Sequence, residues 1–119
     1  NGGAGDDTLE GGQGADDQFG GTGNDLFIMA NDAFGDNFFG GDDIDTLDMS
    51  ALTFFGLSVN LGSGSWGSDT FALGLVQEIE NVIGGTLGDS LLGSAAANTL
   101  IGGGGADTLI GGAGSDTLE

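Results

Sequence analysis

The sequence predicts an all-β fold that coils as a solenoid, and three observations in residues 84–119 carry this prediction. Divided every nine residues, the stretch reads GGTLGDSLL, GSAAANTLI, GGGGADTLI and GGAGSDTLE. Glycines recur at positions 1, 2 and 4 of the unit, where positive φ angles form a tight turn. An acidic residue at position 6 closes the turn, and the x-Leu-x that follows is a minimal strand. A fixed short period indicates that each unit stacks on its neighbours.

These units resemble the RTX, or haemolysin-type, calcium-binding nonapeptide of secreted bacterial proteases, lipases, toxins and adhesins. The resemblance implies a right-handed parallel β-roll in which two nonapeptides make one coil. It also implies that calcium lies between turns that are neighbours on one edge, bound by position-6 carboxylates and backbone carbonyls of the glycine turn. Type I secretion, and a location outside the cell or at its surface, are further implications of the resemblance.

The composition supports a cation-dependent fold. The chain has 119 residues with 28 glycines and no proline, which is enough for one domain dense in turns. It has no lysine, arginine or histidine against 19 acidic residues, for a formal charge of −19. Only bound or condensed cations can therefore relieve the repulsion of a compact form, and nucleic-acid binding is disfavoured. A disordered acidic tail is the alternative, but the unbroken phase and the recurring leucine argue against it.

Other classes of protein receive no support from the sequence. There is no cysteine, so nothing indicates a disulfide scaffold, a zinc site or thiol chemistry. No apolar run approaches the length of a membrane span, and Asn1 does not open a signal peptide. Because the sequence starts and stops at repeat boundaries, we expect it to be a fragment of a longer chain.

Residues 1–48 form the first predicted array. Its units are GGAGDDTLE, GGQGADDQF and GGTGNDLFI and then, after an insertion at 29–30, NDAFGDNFF and GGDDIDTLD. Gln18 departs from the apolar pattern at position 8, so we expect Phe19 to supply the core in its place. Phe34 lies where a glycine is expected, which predicts an irregular turn. The side chains at the inward position 8 are Leu9, Gln18, Phe27, Phe38 and Leu47.

Residues 49–83 lose the glycine motif and are predicted to bridge two arrays. Alternation of apolar and polar residues, and short apolar runs, predict strands around a glycine-serine loop. The strands are expected at 57–61, 71–75 and 79–83, and the loop at 62–70. We expect the roll to continue here for about two coils without calcium turns. A short helix over 74–80 is the alternative, which the neighbouring glycines disfavour.

Residues 84–119 form the second array, and their position-8 leucines are predicted to stack as a core. Asn98 is a neutral candidate ligand, and its turn keeps only one glycine, so its site is expected to be weaker or empty. The leucines are Leu91, Leu100, Leu109 and Leu118.

Calcium takes six to eight oxygen ligands at about 2.3–2.6 Å, and glycine turns offer carbonyls with no side chain in the way. The predicted side-chain ligands are Asp7, Asp16, Asp25, Asp36, Asp45, Asp89, Asn98, Asp107 and Asp116. The predicted carbonyl ligands belong to Gly3, Gly5, Gly12, Gly14, Gly21, Gly23, Gly85, Gly103, Gly105, Gly112 and Gly114.

Turns two units apart lie one coil apart, about 4.8 Å, so two turns can enclose one ion. The predicted pairs are Asp7–Asp25, Asp89–Asp107 and Asn98–Asp116 and, on the condition that the roll absorbs the insertion at 29–30, Asp16–Asp36 and Asp25–Asp45. The alternative is that these side chains only cap turns through Asx hydrogen bonds.

The sequence therefore favours a non-catalytic, calcium-binding structural module that folds on calcium binding outside the cell. An assembly or adhesion module of a cell-surface layer or filament is the second reading, and a carbohydrate-active β-helix the third. Further coils of the same chain, or other subunits, are expected at the ends of the roll. A candidate contact surface consists of Ile28, Phe39, Trp66, Leu92, Ile101 and Ile110.

Overall fold

The computed structural model describes residues 1–32, 35–68 and 72–119, which form strands, turns and no helix. Within these ranges no helix is long and apolar enough to cross a membrane. The strands are β1 (Gly3–Ala4), β2 (Thr8–Glu10), β3 (Asp17–Thr22), β4 (Leu26–Ile28), β5 (Asn37–Asp42), β6 (Thr46–Asp48), β7 (Leu57–Asn60), β8 (Ser65–Ser68), β9 (Ala72–Gln77), β10 (Asn81–Ile83), β11 (Ser90–Leu92), β12 (Thr99–Ile101), β13 (Thr108–Ile110) and β14 (Thr117–Leu118).

The strands build two sheets, and in both repeat arrays the chain alternates between them. The first sheet has the order β1-β3-β5-β9-β8-β7-β11-β13, and the second has the order β14-β12-β10-β6-β4-β2. Every pairing is parallel except the two that involve β8. The predicted parallel β-roll is thus confirmed.

The insertion at 29–30 lengthens one coil without breaking the roll. Gly3 pairs with Gly21, whereas Asp17 pairs with Asn37, so the second coil is two residues longer than the first. Met29 is fully buried, and its N–H donates to the carbonyl of Asp48 at 2.9 Å. The extra residues therefore add a core side chain.

The bridging segment differs from the prediction, because Ser65–Ser68 is a strand where a loop was expected. This strand, β8, is antiparallel to β7 and to β9. Burial of Trp66 explains the difference: its side chain is 1% exposed and its ring centroid lies 6.3 Å from that of Phe38. Trp66 is accordingly part of the core, not of a contact surface. The end of the predicted loop (69–70) and the start of the next predicted strand (71) lie outside the described residues.

The bridging segment is also not a pair of regular coils. Three strands, β7, β8 and β9, separate β5 from β11 in the first sheet, whereas β10 alone separates β6 from β12 in the second. The helical alternative over 74–80 is wrong, because Ala72–Gln77 is a strand. The strand predicted at 79–83 is found as β10.

The core between the sheets contains the inward position-8 side chains except Leu118, which is 45% exposed on the last strand, and Leu109, which is only partly buried against the core. Gln18 keeps this inward register and is 4% exposed, whereas Phe19 is 44% exposed and stacks on Phe39 at 4.7 Å between ring centroids. The prediction that Phe19 replaces Gln18 was wrong, because pairing of Gln18 with Phe38 fixes which residues face inward. The irregular turn predicted at Phe34 lies outside the described residues.

The apolar position-9 residues do not form one row. Phe39, Leu92 and Ile110 belong to strands of the first sheet, whereas Ile28 and Ile101 belong to the second. The predicted contact surface is therefore divided between the two outer faces of the roll.

Candidate metal centres

The position-6 side chains lie along two edges of the roll. We define the first edge by the turns that lead from the first sheet to the second, and the second edge by the turns that lead back. The first edge holds Asp7, Asp25, Asp45, Asn98 and Asp116, and the second holds Asp16, Asp36, Asp89 and Asp107.

Along each edge, one carboxylate oxygen bonds the backbone of the preceding coil, in what we call the carboxylate ladder. Oδ1 of Asp25 accepts the N–H of Asp7 at 2.8 Å, and Oδ1 of Asp45 accepts the N–H of Asp25 at 2.8 Å. The same bond joins Asp36 to Asp16 at 2.8 Å, Asp107 to Asp89 at 2.9 Å and Asp116 to Asn98 at 2.9 Å. The structure thus brings together all five predicted pairs.

The glycines of the turn have two different roles. Positive φ occurs at positions 2 and 4, at Gly3, Gly5, Gly12, Gly14, Gly21, Gly23, Gly41, Gly103, Gly105, Gly112 and Gly114. Position 1 does not adopt positive φ, which corrects the prediction. Its requirement is steric, since a Cβ on Gly2 would lie 2.6 Å from Oδ2 of Asp7 and 2.8 Å from the carbonyl oxygen of Gly20.

This crowding shows where oxygens converge. Above Gly20, Oδ2 of Asp25 and the carbonyl oxygen of Gly40 both occupy the space that a Cβ would take. The position-1 carbonyl of the next coil therefore faces the second oxygen of the position-6 side chain in these turns. Sequence reasoning assigned ligand carbonyls to positions 2 and 4 and missed this one, because only the stacking of coils reveals it.

The second oxygen of several carboxylates is buried without a partner. Among the described residues, Oδ2 of Asp7, Asp16, Asp25 and Asp45 has no hydrogen-bond partner, and the side chains of Asp25 and Asp45 are 2% and 0% exposed. An unsatisfied buried polar group costs about 1–3 kcal/mol, and more when it is charged. The sequence contains no cationic side chain that could pair with these oxygens.

Burial also changes the protonation of two carboxylates. Desolvation raises the pKa of Asp45 to about 6; the N–H of Asp25 opposes this effect, and the charges of Asp25, Glu80 and Asp43 add to it. Burial likewise raises the pKa of Asp36 above its ordinary value. Both carboxylates are thus destabilised as anions unless a cation compensates them.

These oxygens fit a hard divalent cation. Carboxylate and carbonyl oxygens are the ligands that calcium prefers. No three acidic side chains among the described residues converge closely enough to hold a metal alone, so backbone oxygens must complete each site.

Asp89 and Asn98 differ from the other position-6 residues. The oxygens of Asp89 accept the N–H groups of Leu57 and Gly85, each at 2.7 Å. Gly85 lacks the positive φ of its equivalents, and its carbonyl accepts the N–H of Gly104 at 3.0 Å. Oδ1 of Asn98 accepts the N–H of Ser94 at 2.8 Å. Both side chains therefore bond a backbone N–H of their own turn, four residues earlier.

Comparison with known proteins agrees with this geometry. No curated protein shows significant similarity to the chain. The family model of the RTX calcium-binding nonapeptide repeat matches in four copies, over residues 1–27 and 83–118. These ranges cover more than half of the sequence and contain most of the turns described above. The chain belongs to the RTX calcium-binding nonapeptide repeat family, as a β-roll whose stacked turns form a calcium-binding structural module.

Proposed function

We propose that this chain is the calcium-dependent structural module of a secreted bacterial protein, and that it folds when it meets calcium outside the cell. The observation that carries the proposal is the set of buried Oδ2 atoms without partners in Asp7, Asp16, Asp25 and Asp45. Each needs a positive charge that the side chains of this sequence do not supply. RTX repeats are typical of secreted bacterial proteins and are structural rather than catalytic.

In this proposal, each ion lies between two stacked turns. The ligands are the position-6 side chains of two successive coils together with turn carbonyls. The sites of the first array, built on Asp7, Asp25 and Asp45 on one edge and on Asp16 and Asp36 on the other, are the strongest. Asp107 and Asp116 complete weaker sites, because both carboxylate oxygens of Asp89 and the single amide oxygen of Asn98 already accept backbone N–H groups.

The folding switch follows from the charge. At the low free calcium of a bacterial cytosol, a charge of −19 and a narrow core leave the chain unfolded. At the millimolar concentrations that suit extracellular modules, bound calcium offsets the repulsion and the roll forms. An unfolded chain is also the form that a narrow export channel can pass.

Circular dichroism of the chain in chelator, in millimolar calcium and in equal magnesium tests this proposal. We expect β structure in calcium only, because magnesium screens charge but demands a smaller octahedral site. Identical spectra in chelator and in calcium would contradict calcium-coupled folding, and equal folding in magnesium would indicate screening alone.

A contact at the roll ends is the second part of the proposal, and one observation favours it. Both polar atoms of the Gln18 amide are buried with no hydrogen-bond partner in the described part of the chain, next to an open cavity of about 470 Å³ lined by Leu9, Asp16 and Gln18 among others. Strand edges at a roll end are free to pair with further coils of the same chain or with another subunit. Sedimentation of the chain over a wide concentration range in calcium distinguishes association from a monomer.

A further inference from the structure

Glu80 takes the place of a position-6 aspartate on the first edge, although the turn around it lacks the glycine motif. In the repeats, the N–H of position 7 donates to the carbonyl of position 6 in the preceding coil, as Thr46 does to Asp25 at 2.9 Å. Asn81 makes the equivalent bond to Asp45 at 3.0 Å. The backbone register therefore places Glu80 at position 6.

The side chain of Glu80 also continues the carboxylate ladder. Its Oε2 accepts the N–H of Asp45 at 3.0 Å, just as Oδ1 of Asp45 accepts the N–H of Asp25 at 2.8 Å. On its other side, the carbonyl of Glu80 accepts a hydrogen bond from Nδ2 of Asn98 at 2.8 Å. Glu80 thus joins the first array to the second along this edge.

The longer side chain compensates for a shorter turn. Phe39 pairs with Gln77 and Thr46 pairs with Asn81, so the two turns connect equivalent positions. Six residues (40–45) form the regular turn, whereas only three (78–80) form the turn that contains Glu80. The extra methylene of glutamate lets the carboxylate reach the preceding coil from this tighter turn.

Glu78 supplies the carbonyl that a position-1 glycine supplies elsewhere. Above Gly40, the carbonyl oxygen of Glu78 and Oδ2 of Asp45 both occupy the space that a Cβ would take. Above Gly20, the same two places are taken by the carbonyl oxygen of Gly40 and Oδ2 of Asp25. The set of oxygens between Asp45 and Glu80 therefore repeats the set between Asp25 and Asp45.

The buried oxygen in this set requires a positive charge. Asp45 is 0% exposed, and its Oδ2 has no hydrogen-bond partner among the described residues. We propose that Asp45, Glu80 and the carbonyl of Glu78 bind one calcium ion that joins the first array to the bridging segment. This inference rests on the proposed function, because it extends calcium binding from the repeat turns to a turn without the motif.

Calcium titration of three full-length chains by calorimetry and equilibrium dialysis tests the proposal: wild type, Glu80→Gln and Glu10→Gln. The glutamine in Glu80→Gln keeps an oxygen for the N–H of Asp45 but loses the negative charge. Because calcium affinity depends on the charge of the ligands, we expect a folded chain in which one site binds calcium at least about tenfold more weakly. Glu10→Gln makes the same charge change in an exposed side chain outside the proposed site and should bind as wild type does. Circular dichroism in saturating calcium confirms folding of each variant.

If Glu80→Gln does not fold, Glu80→Asp with Glu10→Asp as its control carries the test. The aspartate in Glu80→Asp keeps the charge but is too short for the three-residue turn, so we expect the site to be lost, whereas Glu10→Asp keeps it. Wild-type stoichiometry and affinity in the Glu80 variants would overturn the inference. A wild-type chain that binds no calcium would instead overturn the proposed function, so the two failures are distinguishable.

Discussion

Replacing Asp25 by asparagine should stabilise the fold without calcium and destabilise it with calcium. Without the ion, the Asp25 side chain is 2% exposed and its Oδ2 has no hydrogen-bond partner within the described ranges. The asparagine side chain keeps Oδ1 as acceptor for the N–H of Asp7 and turns an NH₂ group toward the space shared with the carbonyl of Gly40. Removing one unsatisfied buried group is worth about 1–3 kcal/mol, so the calcium-free variant should be more stable than wild type by that amount.

With calcium, the sign should reverse. Asp25 belongs to two predicted pairs, with Asp7 and with Asp45, so the substitution weakens two sites. Each site contributes about 2.7 kcal/mol when calcium is in hundredfold excess over its dissociation constant. Losing most of the stabilisation by bound calcium at two sites costs more than the gain of about 1–3 kcal/mol that removal of the buried charge provides. The net effect in saturating calcium should therefore be destabilising by a few kcal/mol.

The assay compares folding in chelator, driven by the osmolyte trimethylamine N-oxide, with urea unfolding in saturating calcium. Asp42→Asn is the matched control, because it removes one charge from an exposed side chain of the same array. We expect Asp42→Asn to change the stability of the fold only slightly, and in the same direction in chelator and in calcium. If Asp25→Asn destabilises the chain equally with and without calcium, the reasoning about its unpartnered oxygen is wrong.

Two further predictions concern single residues near the turns. Asp43 occupies the position-4 place of a glycine with φ of 80°. Asp43→Gly should therefore raise the free energy of unfolding in calcium, measured with urea, by about 1 kcal/mol, whereas Asp43→Asn should not. Equal gains in the two variants would assign the effect to the charge of Asp43. Nε1 of Trp66 lies 2.8 Å from the carbonyl oxygen of Asp36, so Tb³⁺ bound there should show tryptophan-sensitised luminescence. This signal should fall in Asp36→Asn and persist in Asp116→Asn, and its survival in Asp36→Asn would contradict a site at Asp36.

The repeat arrays were predictable because their information is local and periodic. A nonapeptide cannot bury its leucine or pair its strand alone, so a constant phase along one chain implies that neighbours stack. The pairs Asp7–Asp25 and Asp89–Asp107 follow from this phase alone. Asp25–Asp45 required one added assumption, that the roll absorbs the insertion at 29–30, and the structure meets it by burying Met29.

The bridging segment was less predictable because long-range burial decides its structure. The glycine and serine residues around Trp66 have the composition of a loop. The aromatic ring contacts Phe38, which is far away in sequence, and this contact draws the segment into the sheet as β8. Gln18 illustrates the same limit: a polar residue points inward because the paired neighbour Phe38 fixes the register of its strand.

The side-chain ligands of the turns could be predicted from the sequence, whereas the position-1 carbonyls that face them could not. A sequence shows that position 6 is acidic, but it does not show which carbonyl of the next coil faces that carboxylate. Position-1 glycines were assigned to positive φ, although their role is to leave room for oxygens from two coils. Glu80 was missed for a related reason: its turn has no glycine motif, and only the pairing of Asn81 with Thr46 reveals its register.

The two edges of the roll consequently differ in continuity. On the second edge, three strands separate Asp36 from the coil of Asp89, and the indole of Trp66 and β8 lie between them. On the first edge, the carboxylate of Glu80 accepts the N–H of Asp45 and its carbonyl accepts the side-chain amide of Asn98, so hydrogen bonds connect one array to the other. In a stacked repeat protein, cooperativity depends on interactions between neighbours. The first edge therefore connects the two arrays through the hydrogen bonds of Glu80, alongside the pairing of β6, β10 and β12 in the second sheet.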